Sequence, residues 1–517
     1  MTNRPAPAGW AVALVAVLIV SIGTAGVAQA PIRGLTNPAP LVKAYDLVYD
    51  ADFAGAEAEL ARACGPAPRE GCAVVGSALL WWRIYLDTDD HSQDAALLAR
   101  VAGTIDLCER WTAREPNRAE AWLYLGAAYG VRVQYRAERG EYLGGARDGK
   151  RAKSALDRAL ALDPVLYDAN FGTGMYEYYA DTLPAVLKVL RWILMLPGGN
   201  KARGMARWLQ TLNNGSLLQS EAAYQLHKVY IWYEKNPDGA LALLAGLRTR
   251  YPHNPVFLRD VALVHQDYRH DPLSALQFDQ ALVAGAKAGT LREPELAESW
   301  GHLGAAEQFD ALAEPDRAIE EYRALIERRP AKPYGALALA HLGLARALDR
   351  LGLRDQAVAA YRAAQAAAPT GDPRGVRGAA LDAIARAPDR VTAEAYRLSI
   401  EGWRLFERGA LDDALARLDR AVQAKPDDGV HRYRRGRVWL ARGDRPRARA
   451  DFERATQARP APPAPMLAGA FLECGRIYEA AGDRARALSA YEWASRVQGA
   501  DRDSAAAAAQ ALARLKH

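Results

Sequence analysis

The chain has 517 residues, 50% of them hydrophobic and 25% charged, with a formal net charge of only +6. That length exceeds the single hydrophobic core of an ordinary domain, and the charge is too small to mark a basic surface along the whole chain. Apolar residues recur with a period near 3.6 almost throughout and no run alternates for long with period two, which excludes a sheet protein.

Residues 1–30 read as a secretory signal peptide or a membrane anchor. Arg4 is their only charge, Trp10–Val20 is apolar, and small residues follow to Ala28-Gln29-Ala30. Pro31 would block cutting after Ala30, whereas cutting after Ala28 avoids it. Left uncut, Trp10–Ala28 is almost long enough to hold the chain in the inner membrane. Either way residues 31–517 fall outside the cytoplasm, in the periplasm or outer envelope of a bacterium.

Residues 31–169 form an N-terminal helical region. Tyr45, Tyr49, Phe53, Ala56 and Leu60 suit a first helical pair over 40–65. Cys64 and Cys72 flank a short Gly/Pro loop and suit a disulfide in an oxidising compartment. Cys108 and Cys474 sit in helical stretches, and no CxxC occurs. Asp87, Asp89, Asp90 and His91 cluster beside Trp81 and Trp82, and this reads as a wet inter-helix loop, so no metal site is expected. Trp122, Leu125, Gly126 and Tyr129 open a further pair. Its second helix is expected at Lys150–Ala161, after an insertion around Val131–Gly149.

Residues 170–215 break the pattern. Tyr176, Tyr178 and Tyr179 precede a strongly apolar run, Ala185–Leu196, in which Leu187, Leu190 and Leu194 share one helical face with Trp192 nearby. The run is too short and too charged to span a membrane. Three readings stand: a core helix plugging the concave side, a membrane-surface helix, or the lining of an apolar ligand groove that would include Tyr176 and Tyr179. Gly198-Gly199-Asn200-Lys201 lacks the spacing of a phosphate-binding loop and reads as a helix stop and restart.

Residues 216–290 give diverged helical units, with Tyr230, Ala240, Leu244 and then Ala275, Phe278 and Ala281. His227 shares a helical face with Tyr224 and Tyr230, and it is a general base only if a pocket surrounds it. Residues 297–370 carry two looser units, and 390–500 carry regular ones. Gly402, Gly409, Ala414, Leu418, Ala421 and Pro426 are repeated 34 residues later by Gly436, Gly443, Ala448, Phe452, Ala455 and Pro460. A third set follows the Pro-rich insert at 460–465: Gly475, Gly482, Ala487, Tyr491 and Ala494. Helices are expected at Val430–Leu440 and Arg445–Gln457, with a capping helix in 501–517 over Ala505–Lys516.

This pattern resembles the tetratricopeptide repeat (TPR) family, most specifically over 396–494. The resemblance implies an all-α solenoid of antiparallel helix pairs in a superhelix, non-catalytic, without cofactors, binding a protein or peptide. Residues 183–215 also weakly resemble the interruption between repeats in mitochondrial outer-membrane repeat proteins. From helix position, Arg404, Arg434, Arg435 and Trp439 are the expected partner contacts, and the basic run from His431 to Arg449 suits an acidic partner. Aromatic residues are not interleaved there as a nucleic-acid platform needs, so nucleic acid is not expected. The expected function is a binding scaffold of the bacterial cell envelope. The alternatives are a carrier of lipid or another apolar ligand through 170–215, in peripheral contact with a membrane, and an enzyme with an unrecognised site near His227 or His91.

Overall fold

A computed structural model describes residues 30–182 and 198–516. Among these residues are twenty-four α-helices, and the only β pairing is one isolated bridge between Ile32 and Arg118. The architecture is an all-α, TPR-like solenoid. In chain order its first helices are α1 (Pro38–Tyr49), α2 (Phe53–Ala63), α3 (Arg69–Leu86), α4 (Asp94–Arg114), α5 (Ala119–Glu138), α6 (Tyr142–Leu162), α7 (Ala169–Thr182) and α8 (Lys201–Asn214). Then come α9 (Gln219–Trp232), α10 (Pro237–Arg250), α11 (Pro255–Leu263), which runs on into a π-helical turn, α12 (Pro272–Lys287), α13 (Pro294–Ala311) and α14 (Pro315–Arg328). The C-terminal part holds α15 (Ala336–Arg350), α16 (Arg354–Ala367), α17 (Val376–Ala385), α18 (Arg390–Glu407), α19 (Leu411–Ala424), α20 (Gly429–Ala441), α21 (Arg445–Gln457), α22 (Ala464–Ala480), α23 (Arg484–Arg496) and α24 (Arg502–Lys516).

The starts of several helices follow from local chemistry. Asn236-Pro237, Asn254-Pro255 and Asp271-Pro272 each place a side-chain acceptor at the cap and a proline in the first turn, where its missing N–H costs nothing. Farther along, Asp428, Asp444 and Asp483 accept from the first-turn amides of Val430, Arg447 and Arg486 at 2.9, 3.1 and 3.0 Å. The repeated glycines act as the spacing suggests. A Cβ on Gly402, Gly436 or Gly475 would lie 2.7, 2.8 or 2.5 Å from Leu418, Phe452 or Tyr491, the bulky residue sixteen positions on. Gly443 and Gly482 turn the chain between paired helices at φ +81° and +79°.

The stretch Val131–Gly149, expected as an insertion, is almost wholly helical. α5 continues to Glu138 and α6 starts at Tyr142, so the two helices are simply long, and the second starts eight residues before the expected Lys150. The described flanks of 170–215 form a tight antiparallel pair. α7 and α8 cross where a Cβ on Gly174 would lie 2.8 Å from Gly204 O, and one on Gly204 would lie 2.7 Å from Gly174 O. Leu187, Leu190, Trp192 and Leu194 lie outside the described residues, as do residues 1–29.

The superhelix winds tightly enough to touch itself. Tyr45 and Tyr49 of α1 reach Glu221 of α9, Asn254 donates to Tyr49 O at 2.6 Å, and Arg250 pairs with Asp46 at 3.0 Å. The aspartates after α3 form ties of the same kind: Asp87 accepts from Tyr334 N at 2.8 Å, and Asp89 pairs with Arg374 at 2.6 Å. The largest core consequently runs from α1 to α6 and resumes at Leu217 and in α9 to α13.

Candidate functional site

An apolar cavity of about 360 Å³ lies between α3, α5, α6 and α7, and Tyr45, Leu217, Leu218 and Glu221 also line it. Its shape is written in small residues. α5 turns Gly126, Ala127, Gly130 and Ala137 toward it, and α6 turns Gly145, Ala146, Gly149 and Ala152 toward it. These positions recur at three- and four-residue spacing, so each set forms one stripe on its helix. Val74, Val75, Leu123, Phe171 and Met175 complete the hydrocarbon wall, and Tyr176 and Tyr179 of α7 stand on it.

The lining glycines divide into two kinds. A Cβ on Gly126 or Gly172 would meet Leu156 at 2.5 or 2.4 Å, so those two serve close packing. Among the described residues, a Cβ on Gly130 would meet nothing within 4 Å, one on Gly145 only Arg136 Cβ at 3.7 Å, and one on Gly149 only Tyr176 at 3.9 Å. A glycine inside a helix costs about 1 kcal/mol relative to alanine. At these three positions nothing in the packing of the described residues requires it, and what it leaves among them is space.

The two carboxylates on the wall are engaged, while the buried Tyr124 hydroxyl has no hydrogen-bond partner among the described residues. Glu221 is 3% exposed. Its Oε2 accepts from Tyr45 and Tyr49 at 2.9 and 2.6 Å, and its Oε1 from Gln134 and Gln225 at 3.1 and 2.9 Å. Burial, and then the Glu221 charge, push both phenols well above the usual tyrosine range. Asp168, 2% exposed, holds the turn before α9 by accepting from the amides of Ser216, Leu217 and Leu218 at 3.1, 3.0 and 2.9 Å. Burial still raises its carboxyl above the ordinary value.

Of the tyrosine cluster, Tyr176 and Tyr179 line the cavity. Tyr178 does not: it is fully buried and donates to Glu234. Glu177 pairs with Arg203 at 2.7 Å, tying α7 to α8. On its other side α6 presents Arg147, Lys150, Arg151 and Ser154 to a second cleft, shared with Trp122 and Tyr129.

The residues expected to meet a partner are placed differently. Arg434 is fully buried and has no surface to offer: it donates to Ser399 Oγ at 3.0 Å and to Ala313 O at 2.7 Å. The reason is that α20 leans on the turn between α13 and α14. Arg404 is held by both oxygens of Asp316 at 2.7 and 2.9 Å and by Glu407 at 2.9 Å. Arg435 is held by both oxygens of Asp451 at 2.8 Å and by Asp419 at 2.9 Å. Trp439 is half-buried, with Arg447 4.6 Å from its ring centroid.

His227 is 2% exposed and lines neither cavity nor cleft. Its Nε2 stands 3.6 Å from Asp260, and burial drives its pKa down to about 3. His91 is exposed, 3.7 Å from Asp94. Among the described residues no group of three or more His, Cys, Asp or Glu could hold a metal ion, and no helix is long and apolar enough to cross a membrane. Cys64 and Cys72 are joined as a disulfide with Cα atoms 5.9 Å apart, while Cys108 and Cys474 are free and buried.

The apolar groove considered from the sequence includes Tyr176 and Tyr179 but not the α5 and α6 walls, whose visible signal is Gly126/Gly130 and Gly145/Gly149, spaced by four inside helices.

No family model and no curated protein matches the chain. Solved structures do. A tetratricopeptide repeat protein from Parabacteroides merdae is 15% identical over 58% of this chain and 99% of its own, with TM-score 0.27. YrrB, described as a TPR protein with an unusual peptide-binding site, is 18% identical over 45% and 99%, with TM-score 0.20. The TPR2AB domain of yeast Sti1 is 14% identical over 58% and 99%, with TM-score 0.21. At these scores the likeness adds nothing to the helix-pair architecture described above.

Proposed function

We propose that this chain is a non-catalytic binding scaffold of the bacterial cell envelope, and that it receives an apolar ligand, or the apolar part of a protein or peptide partner, in the cavity between α5, α6 and α7. One observation carries the reading: three helix-interior glycines border a space of about 360 Å³ that no side chain among the described residues fills. That volume lies within the range of about 300–1,000 Å³ usual for ligand pockets, and its wall is apolar with few polar groups, as such pockets are. The envelope location is supported by the layout of residues 1–30 and by the Cys64–Cys72 disulfide, which suits an oxidising compartment.

The test is native mass spectrometry of the protein purified from its own host, beside a Gly149→Leu variant that fills the cavity. A bound species that is present on the natural protein and absent from a folded variant is the expected result. A partner retained at equal stoichiometry by the filled variant overturns the cavity as the site.

A second reading places a protein contact on the C-terminal repeats, where Trp493 is 55% exposed and stacks on Phe471. Trp493→Ala would then abolish a protein complex that Gly149→Leu leaves intact.

A further inference from the structure

Resting on the cavity reading, we infer that the occupant is a hydrocarbon chain, the single fatty-acyl chain of a free lipid, and not a stretch of polypeptide. The argument is one of unmet polar groups. Every residue of a bound peptide brings a backbone N–H and C=O that must find partners once buried. Among the described residues this wall offers the isolated Tyr124 hydroxyl, which cannot serve the N–H and C=O of every residue of a bound peptide. Both oxygens of Glu221 are taken by four donors from within the chain, Gln134 is one of those donors, and Asp168 is committed to the amides of the turn before α9. An occupant with no polar groups along its buried length leaves nothing unsatisfied.

The rim points the same way. Tyr142, which lines the cavity, is 74% exposed, and its neighbour Leu143 is 50% exposed. An apolar lip thus continues from the cavity wall to the surface at the start of α6. A chain entering there exchanges apolar surface for apolar surface along its path. The small-residue stripes on α5 and α6 let the chain lie along the helices, where larger side chains would stop it.

The test is a fluorescence titration of the delipidated full-length protein with cis-parinaric acid, an acyl chain that reports its own burial. One chain per protein is expected, displaced by oleic acid. Gly149→Leu should weaken binding by about tenfold or more, the effect of two lost buried methylenes. Gly149→Ala, which adds a group where 3.9 Å is free, should fold at least as well as the natural chain and still bind. If Gly149→Leu fails to fold by circular dichroism, Gly130→Leu, on the facing helix, takes its place. Binding that neither filling variant alters overturns the inference, because the chain then sits elsewhere. If cis-parinaric acid does not bind while an uncharged leucine-rich peptide binds and is lost in the filled variant, the acyl inference falls and the cavity reading stands. If no probe responds to filling, both fall.

Discussion

Two buried ionisable side chains define what single residues contribute here. His227 is neutral in the folded protein, because burial drops its pKa from 6.5 to about 3. The unfolded chain therefore binds a proton that the native state refuses once pH falls below 6.5, so stability is full above that value and declines as pH falls toward 3. Asp260, 3.6 Å away, has its carboxyl raised by burial and works in the opposite sense. Urea unfolding at stepped pH should show the acid loss in the natural chain and a flatter profile in His227→Gln. Arg434 is a structural cation. Arg434→Ala strips the partner from Ala313 O and leaves a cavity, a destabilisation of about 2–3 kcal/mol. Arg435→Ala takes from the buried Asp451 carboxylate one of its two guanidinium partners, Arg432 being the other, and should cost about 1–3 kcal/mol in the same denaturation assay.

At the scale of helices the glycines sort by what surrounds them, and the same substitution takes opposite signs. Gly475→Ala drives a methyl to 2.5 Å from the Tyr491 ring and should weaken the α22–α23 pair by about 1–3 kcal/mol. Gly482→Ala meets open space but must hold φ +79°, at about 1–2 kcal/mol. Gly149→Ala meets neither obstacle and should stabilise α6 by up to about 1 kcal/mol. Local hydrogen exchange in each helix pair separates the three. The repeat helices were legible because a glycine and a bulky residue sixteen positions apart, with a turn glycine between, follow from the contact of two paired helices. α21 consequently matches its expected bounds, Arg445–Gln457, and α20 differs from Val430–Leu440 by one residue at each end. The extent of the cavity was not legible, since its emptiness depends on which side chains fail to arrive from α3 and α7. Helix position told which side of α20 carries Arg434 but not that the α13–α14 turn would cover it.

Across the whole molecule the tight winding turns a row of nearest neighbours into a closed unit. Glu221 is the knot, joining α1 through Tyr45 and Tyr49 to α5 through Gln134. Glu221→Leu leaves two buried hydroxyls without their acceptor, at about 1–3 kcal/mol each. Limited proteolysis, read after reduction of the Cys64–Cys72 disulfide, should then show the α1–α2 segment cut away first, with the C-terminal repeats still folded. If the whole chain melts together, the clasp is not a separable contact.

That clasp also bears on how such a chain can change in length over generations. A linear array tolerates duplication of a unit anywhere, because each unit answers only to its neighbours. Here an extra unit between α2 and α9 would swing Glu221 away from Tyr45 and Tyr49 and draw Asn254 off the carbonyl of Tyr49. Insertions and losses between Tyr45 and Asn254 should therefore be rare, and the spacing between these two residues should stay constant.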